Sequence, residues 1–128
     1  MAKHTILIID DEEDFSYFVK LNLEKTKEFD VLTASDPENG INIAKTARPD
    51  LILLDIMMPK MGGDDVASSL LDDPKTKDIP IIFLTALVRK NEEQEGEGEI
   101  GGRNYIAKPV TASELISRIK MALIPGIW

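Results

Sequence analysis

The chain contains no cysteine, which excludes a disulfide framework and a thiolate metal centre and fits a reducing compartment. Histidine is almost as scarce. His4 is the only one, and it stands at the entry to the first strand-like run, away from any helix that could present it as a phosphohistidine. No apolar run approaches the ~20 residues needed to span a bilayer, and strand-like sequence begins by Thr5, which leaves no room for a signal peptide. A soluble cytoplasmic protein without membrane contacts is the expectation. Positive charge is also in deficit: 15 basic residues against 23 acidic give a net charge of -8. That balance opposes direct binding of nucleic acid and favours cations or basic partner surfaces. A length of 128 residues accommodates one core and not two, so residues 1–128 are expected to form a single domain.

What the chain does contain is a series of short apolar runs that end on polar groups. Leu51 to Leu54 is unbroken, is bounded by Pro49 and Asp50 ahead and by Pro59, Gly62 and Gly63 behind, and stops at Asp55. Such a run fits a strand buried on both faces. Ile6 to Ile9 ends on Asp10 and Asp11, Ile81 to Leu84 on Thr85, and Tyr105 to Ala107 on Lys108. Any one of these could merely cap a turn. Acid pair, acid, hydroxyl and amine at four strand ends make a constellation.

Helical patterns separate the strands. Phe15, Phe18, Val19 and Leu23 recur at helical spacing, and Asp36-Pro37 starts a second helix with an N-cap and a proline at its first position. Gly63 and Asp64 open a third, with Val66, Ala67, Leu70 and Leu71 on its buried side. Thr111 and Glu114 form the capping box of a last one carrying Leu115, Ile116, Ile119 and Leu123. Strands at His4–Ile9, Phe29–Ala34, Leu51–Leu54, Ile79–Leu84 and Asn104–Ala107, alternating with helices, predict an α/β fold. The expected form is a flavodoxin-like, doubly wound parallel sheet of five strands in the order 2-1-3-4-5, with helices on both faces. In that order the ends of strands 1 and 3 are neighbours, so Asp10, Asp11 and Asp55 converge where such sheets bind ligands.

Three clustered carboxylates repel one another unless a cation is present. With no thiol or imidazole nearby, a hard divalent ion such as Mg²⁺ suits this all-oxygen set. Three carboxylates, Mg²⁺ and the Lys108 ammonium sum to zero charge, and a site so balanced accepts a phosphoryl group. A carboxylate can itself be the nucleophile in phosphoryl transfer, forming an acyl phosphate. On this reading Asp55 attacks, Asp10 and Asp11 serve the metal directly or through water, and Lys108 and Thr85 bind phosphoryl oxygens.

The segments Ile-Asp10-Asp11-Glu12, Leu-Leu-Asp55-Ile-Met-Met-Pro59, Leu84-Thr85-Ala86 and Tyr105-Ile-Ala-Lys108-Pro109 together resemble the receiver domain of bacterial two-component response regulators, including single-domain, chemotaxis-type members. The resemblance spans nearly the whole chain. It implies that Asp55 is the phosphoacceptor and that the Met57 carbonyl joins Asp10, Asp11 and Asp55 at Mg²⁺. It further implies Thr85 and Tyr105 as switch residues, a cis Lys108-Pro109 bond, and a histidine kinase or phosphotransfer protein as phosphoryl donor. Such a domain catalyses only its own phosphorylation and dephosphorylation, so it is not an enzyme in the ordinary sense. By the same resemblance Met57 and Leu87 flank the path of the hydrolytic water, and being apolar they imply slow self-dephosphorylation. The alternative is a Mg²⁺-dependent aspartyl-phosphate phosphohydrolase. Enzymes of the haloacid dehalogenase type carry Asp-x-Asp after strand 1, however, whereas here those acids are adjacent and the nucleophile sits on strand 3. A degenerate receiver serving only as a docking surface is a third reading.

Other features read as structural. Asp10 to Asp14 and Glu92 to Glu99 each hold five acids and read as solvated faces. Gly96 to Gly101 matches the letters of a dinucleotide-binding loop but lacks the flanking strand and helix, and its glutamates would repel a pyrophosphate. Met57, Met58 and Met61 read as loop and core filling. From Val88 to Gly102 only Val88 and Ile100 are large and apolar, while Gly96 and Gly98 each cost a helix ~1 kcal/mol. A short helix, about Asn91 to Glu95, running into an irregular and mobile loop is expected there.

Overall fold

The structure, a computed structural model, describes residues 3–86, 99–100 and 103–123. The apolar runs form β1 (His4–Ile9), β2 (Phe29–Ala34), β3 (Leu51–Asp55) and β4 (Ile81–Thr85), with a two-residue β5 (Glu99–Ile100) and β6 (Arg103–Ala107) after them. Helices α1 (Glu13–Lys25), α2 (Pro37–Ala47), α3 (Gly63–Leu71) and α4 (Ala112–Leu123) complete the described elements. The sheet order is β2-β1-β3-β4-β6-β5, and every pairing is parallel except the last. The five parallel strands therefore follow the expected 2-1-3-4-5 order. The antiparallel β5 at the edge was not anticipated, because two residues carry no periodic signal. The expected short helix, about Asn91 to Glu95, lies outside the described residues, as does the glycine-rich loop apart from Glu99–Ile100.

Alternation along the strands divides the core. Ile6, Ile8, Leu51, Leu53, Ile82, Leu84 and Ile106 point to the side covered by Val19 and Leu23 of α1 and Leu115 and Ile119 of α4. Leu7, Ile9, Ile52, Leu54, Phe83 and Tyr105 point to the side covered by Ala44 of α2 and Val66, Ala67 and Leu70 of α3. Strands buried on both faces need apolar residues at every position, which is why β3 reads as an unbroken run. The caps form as their sequences dictate: Asp36 accepts from the Asn39 amide at 3.1 Å, and the Thr111 hydroxyl accepts from the Glu114 amide at 3.1 Å. Leu71 departs from expectation. It is the last residue of α3 and is 41% exposed, so the buried stripe of that helix ends at Leu70. Among the described residues no helix is long and apolar enough to cross a membrane.

β2 is an edge strand, and its outer polar groups are covered by α1. Lys20 donates to the Val31 carbonyl at 3.0 Å, and Glu24 accepts from the Val31 amide at 3.1 Å while pairing with Lys20 at 2.9 Å. The Lys20 ammonium and then the Val31 amide hold the Glu24 carboxyl below its ordinary range. This side-chain clasp does for the edge what another strand would otherwise do. Glu24→Ala is expected to lower stability by about 1 kcal/mol, the usual net worth of such a bond, and to speed exchange of the Val31 amide. Denaturant titration and amide hydrogen exchange measure the two effects; unaltered protection at Val31 would remove the clasp from its role.

Candidate functional site

β1 and β3 are neighbours in the register Ile9 to Leu54, so the next residues along, Asp10 and Asp55, stand side by side at the carboxyl rim of the sheet. Both carboxylates are buried, Asp10 completely and Asp55 to within 5% exposure, while Asp11 is exposed. One oxygen from each of Asp10, Asp11 and Asp55 lies within 4.8 Å of the others. The rim is held by backbone bonds: the Asp10 amide donates to the Ala34 carbonyl at 3.0 Å, and the Ile56 amide to Leu84 at 3.0 Å. Gly63 supports it from below, its amide bonding the Ile56 carbonyl at 2.9 Å. A Cβ there would sit 2.5 Å from the Asp55 carbonyl oxygen, so the loop carrying Asp55 closes only over a glycine. The sequence marked Gly63 merely as a helix start.

Lys108 reaches this site from beyond β4. Its amide donates to the Thr85 carbonyl at 2.8 Å, which ties the cation and the hydroxyl of the site to one register. Its ammonium donates to Asp10 Oδ2 at 2.7 Å and to Glu12 Oε1 at 2.6 Å, and lies 4.6 Å from the centre of the Phe15 ring. The Lys108-Pro109 peptide is cis, as the resemblance implied. Thr85 is buried at the end of β4, and Tyr105 is buried in the core on the α2 and α3 side of the sheet. Met57, two residues past Asp55, donates its amide to Asp55 Oδ1 at 3.3 Å and exposes 60% of its surface. It stands in the exposed loop, whereas Met58 is buried and Met61 packs on the core. Leu87 lies outside the described residues.

The electrostatics follow from this crowding. Burial first, and the neighbouring Asp10 second, push the Asp55 carboxyl up to about 7, against the pull of Lys108 and the Met57 amide. Burial draws the Lys108 ammonium down, but its bonds to Asp10 and Glu12 outweigh that and leave it above its ordinary value. The donor set suits a hard dication: all oxygen, two members buried, one open to solvent, and a deficit of positive charge that a single lysine does not cancel. The structure brings Asp10, Asp11, Asp55 and Lys108 together and sets Thr85 at the neighbouring strand end. Sequence reasoning missed Glu12 and Phe15, which it assigned to a solvated acid run and to a helix face.

The chain belongs to the response regulator receiver domain family, which it matches over residues 6–120. It is 39% identical over 118 residues to the DNA-binding dual master transcriptional regulator RpaA of Synechocystis sp., an alignment covering 92% of this chain and 48% of RpaA. The chain thus spans about half the length of the curated relatives it matches. Among solved structures, Vibrio cholerae chemotaxis protein CheY4 superposes with a TM-score of 0.80 at 26% identity, covering 94% of this chain and 99% of that one. The receiver domain of sensor histidine kinase PA1611 from Pseudomonas aeruginosa superposes equally well, with a TM-score of 0.80 at 24% identity and coverage of 95% and 98%. That structure has a magnesium ion coordinated in its active-site cleft.

In metal-free protein, an Asp55 that keeps its proton to about pH 7 rather than 3.8 makes the folded state bind more protons than the unfolded state between those values. The contribution to stability is complete below the unfolded value and is lost as pH rises through the folded one. Asp55→Asn, which cannot ionise, should therefore gain on the wild type as pH climbs from about 4 to about 7, reaching on the order of 3 kcal/mol above neutrality. Denaturant titrations in chelator across that range test this, and a stability difference that stays constant with pH would contradict it.

Proposed function

We propose that this domain is a phosphoacceptor signalling module, residues 1–128 forming one receiver, in which Asp55 takes a phosphoryl group from a histidine kinase or phosphotransfer protein in the cytoplasm. The observation that carries this reading is the convergence of Asp10, Asp11 and Asp55 within 4.8 Å beside the ammonium of Lys108, whose side chain is only 10% exposed. Mg²⁺, held by Asp10, Asp11, Asp55 and the Met57 carbonyl, supplies charge neutralisation to the phosphoryl oxygens when bound. An oxygen of the Asp55 carboxylate attacks phosphorus, forming the acyl phosphate as the bond to the donor imidazole nitrogen breaks and the imidazole retains the electron pair. Lys108 holds one phosphoryl oxygen and the Thr85 hydroxyl another. Drawing Thr85 toward the phosphoryl group alters the packing around Tyr105, and the rearranged surface meets an output partner whose basic residues complement the net charge of -8. The domain acts on its own aspartyl phosphate and turns over no external substrate.

Incubation with acetyl phosphate and Mg²⁺ followed by mass spectrometry tests the assignment. The wild type is expected to gain one phosphoryl group and Asp55→Ala none, with the fold retained because a rim carboxylate relieved of like charges is no core element. The same mass gain in the variant would discharge Asp55 from the role, and continuous release of phosphate would favour the phosphohydrolase. The lifetime is a separate matter. Met57 is apolar and exposed beside Asp55, so it offers the hydrolytic water no hydrogen bond, and self-dephosphorylation should be slow. Met57→Asn combined with Leu87→Glu is expected to speed decay of the phosphorylated protein, and a rate left unchanged by the pair would refute this account.

A further inference from the structure

Glu12 occupies the N-cap position of α1, yet its side chain makes no capping hydrogen bond. Its carboxylate is instead turned across the rim to Lys108, at 2.6 Å. Its own amide donates to Asp10 Oδ1 at 2.9 Å, which curls the chain after β1 and aims the side chain at the ammonium. The ammonium is held on three sides, by buried Asp10, by Glu12 and by the ring of Phe15, and its hydrogen bonds go to Asp10 and Glu12 rather than to Asp55. Glu12 itself is 62% exposed at its side chain, so its partnership with Lys108 can be given up to water at little cost, whereas that of Asp10 cannot.

From this geometry we infer that Glu12 is a positioning residue that latches Lys108 in the resting site, and that a phosphoryl group on Asp55 must displace Glu12 to gain the lysine. The inference rests on the reading of Asp55 as the phosphoacceptor. Asp10 stays with the lysine in both states and acts as its pivot. The ammonium exchanges one anionic acceptor for another, and the freed Glu12 carboxylate passes into solvent. The latch opposes the phosphorylated state by the strength of one charge-assisted hydrogen bond, so its removal favours that state.

Two substitutions separate this from a simple effect of charge. Glu12→Gln removes the charge and weakens the bond. Glu12→Asp keeps the charge but shortens the side chain by one methylene and returns it to helix capping, for which aspartate at an N-cap is well suited. Both variants should bind beryllofluoride, a phosphoryl mimic, in Mg²⁺ about threefold to tenfold more tightly than the wild type. In metal-free protein, nitrogen NMR should show the Lys108 ammonium exchanging faster in both variants than in the wild type, with the Asp10 bond still holding it. Tightening by Glu12→Gln alone, with Glu12→Asp matching the wild type, would reduce the effect to charge and overturn the latch. Unchanged or weaker affinity in both, or a Lys108 exchange rate no faster in them than in the wild type, would overturn it as well. A wild type that takes up no beryllofluoride would instead bring down the phosphoacceptor reading, and the latch with it, so the two failures are distinct.

Discussion

The burial of two carboxylates side by side, Asp10 and Asp55, governs the site, their mutual repulsion adds to it, and the surrounding structure either forces this strain or relieves it. A parallel sheet with β1 beside β3 in the register Ile9 to Leu54 leaves the next pair of residues no choice but to be neighbours. Burial removes the water that would screen them. Lys108 relieves part of the strain by bonding Asp10 at 2.7 Å. Asp55, which Lys108 does not bond, is left with its carboxyl pushed up to about 7.

The period-two alternation of the strands explains how α1 came to matter. Ile6 and Ile8 face the α1 side of the sheet, as do Leu51, Leu53 and Ile106. Continued by one step of two, the same alternation carries Asp10, Asp55 and Lys108 to that side, where the first turn of α1 supplies Glu12 and Phe15. The helix therefore has two duties at its amino end. Its first turn carries Glu13 and Asp14, which suit the helix dipole. The residue before them is spent on a lysine 96 positions away in sequence.

That distance accounts for what the sequence could and could not disclose. Strands with both faces covered, and caps such as Asp36 and Thr111, leave local patterns, and the rim residues declare themselves by ending apolar runs. All of these were legible. The role of Glu12 was hidden among five consecutive acids, each equally suited to solvent, and only tertiary placement selects one. Phe15 fits a helix stripe by spacing, yet its ring serves the ammonium as well as the core. Leu71 and the two-residue β5 escaped because a helix end and a minimal strand carry too few positions to fix a period.

A pocket built on repulsion ties stability to occupancy. With Asp55 ionised and no counter-charge bound, the rim raises the free energy of the folded state, and anything that brings positive charge to it restores stability by mass action. On the proposed function the converse holds for a phosphoryl group, which would add negative charge to the site and call for both a dication and the lysine. Glu12 sets the terms on which the lysine is released. If it were buried like Asp10, the lysine would be bound too firmly to move; if it were absent, Asp10 alone would hold the ammonium at the resting rim. An exposed carboxylate on a largely buried lysine is thus a partner that can hold the ammonium and still be displaced from it.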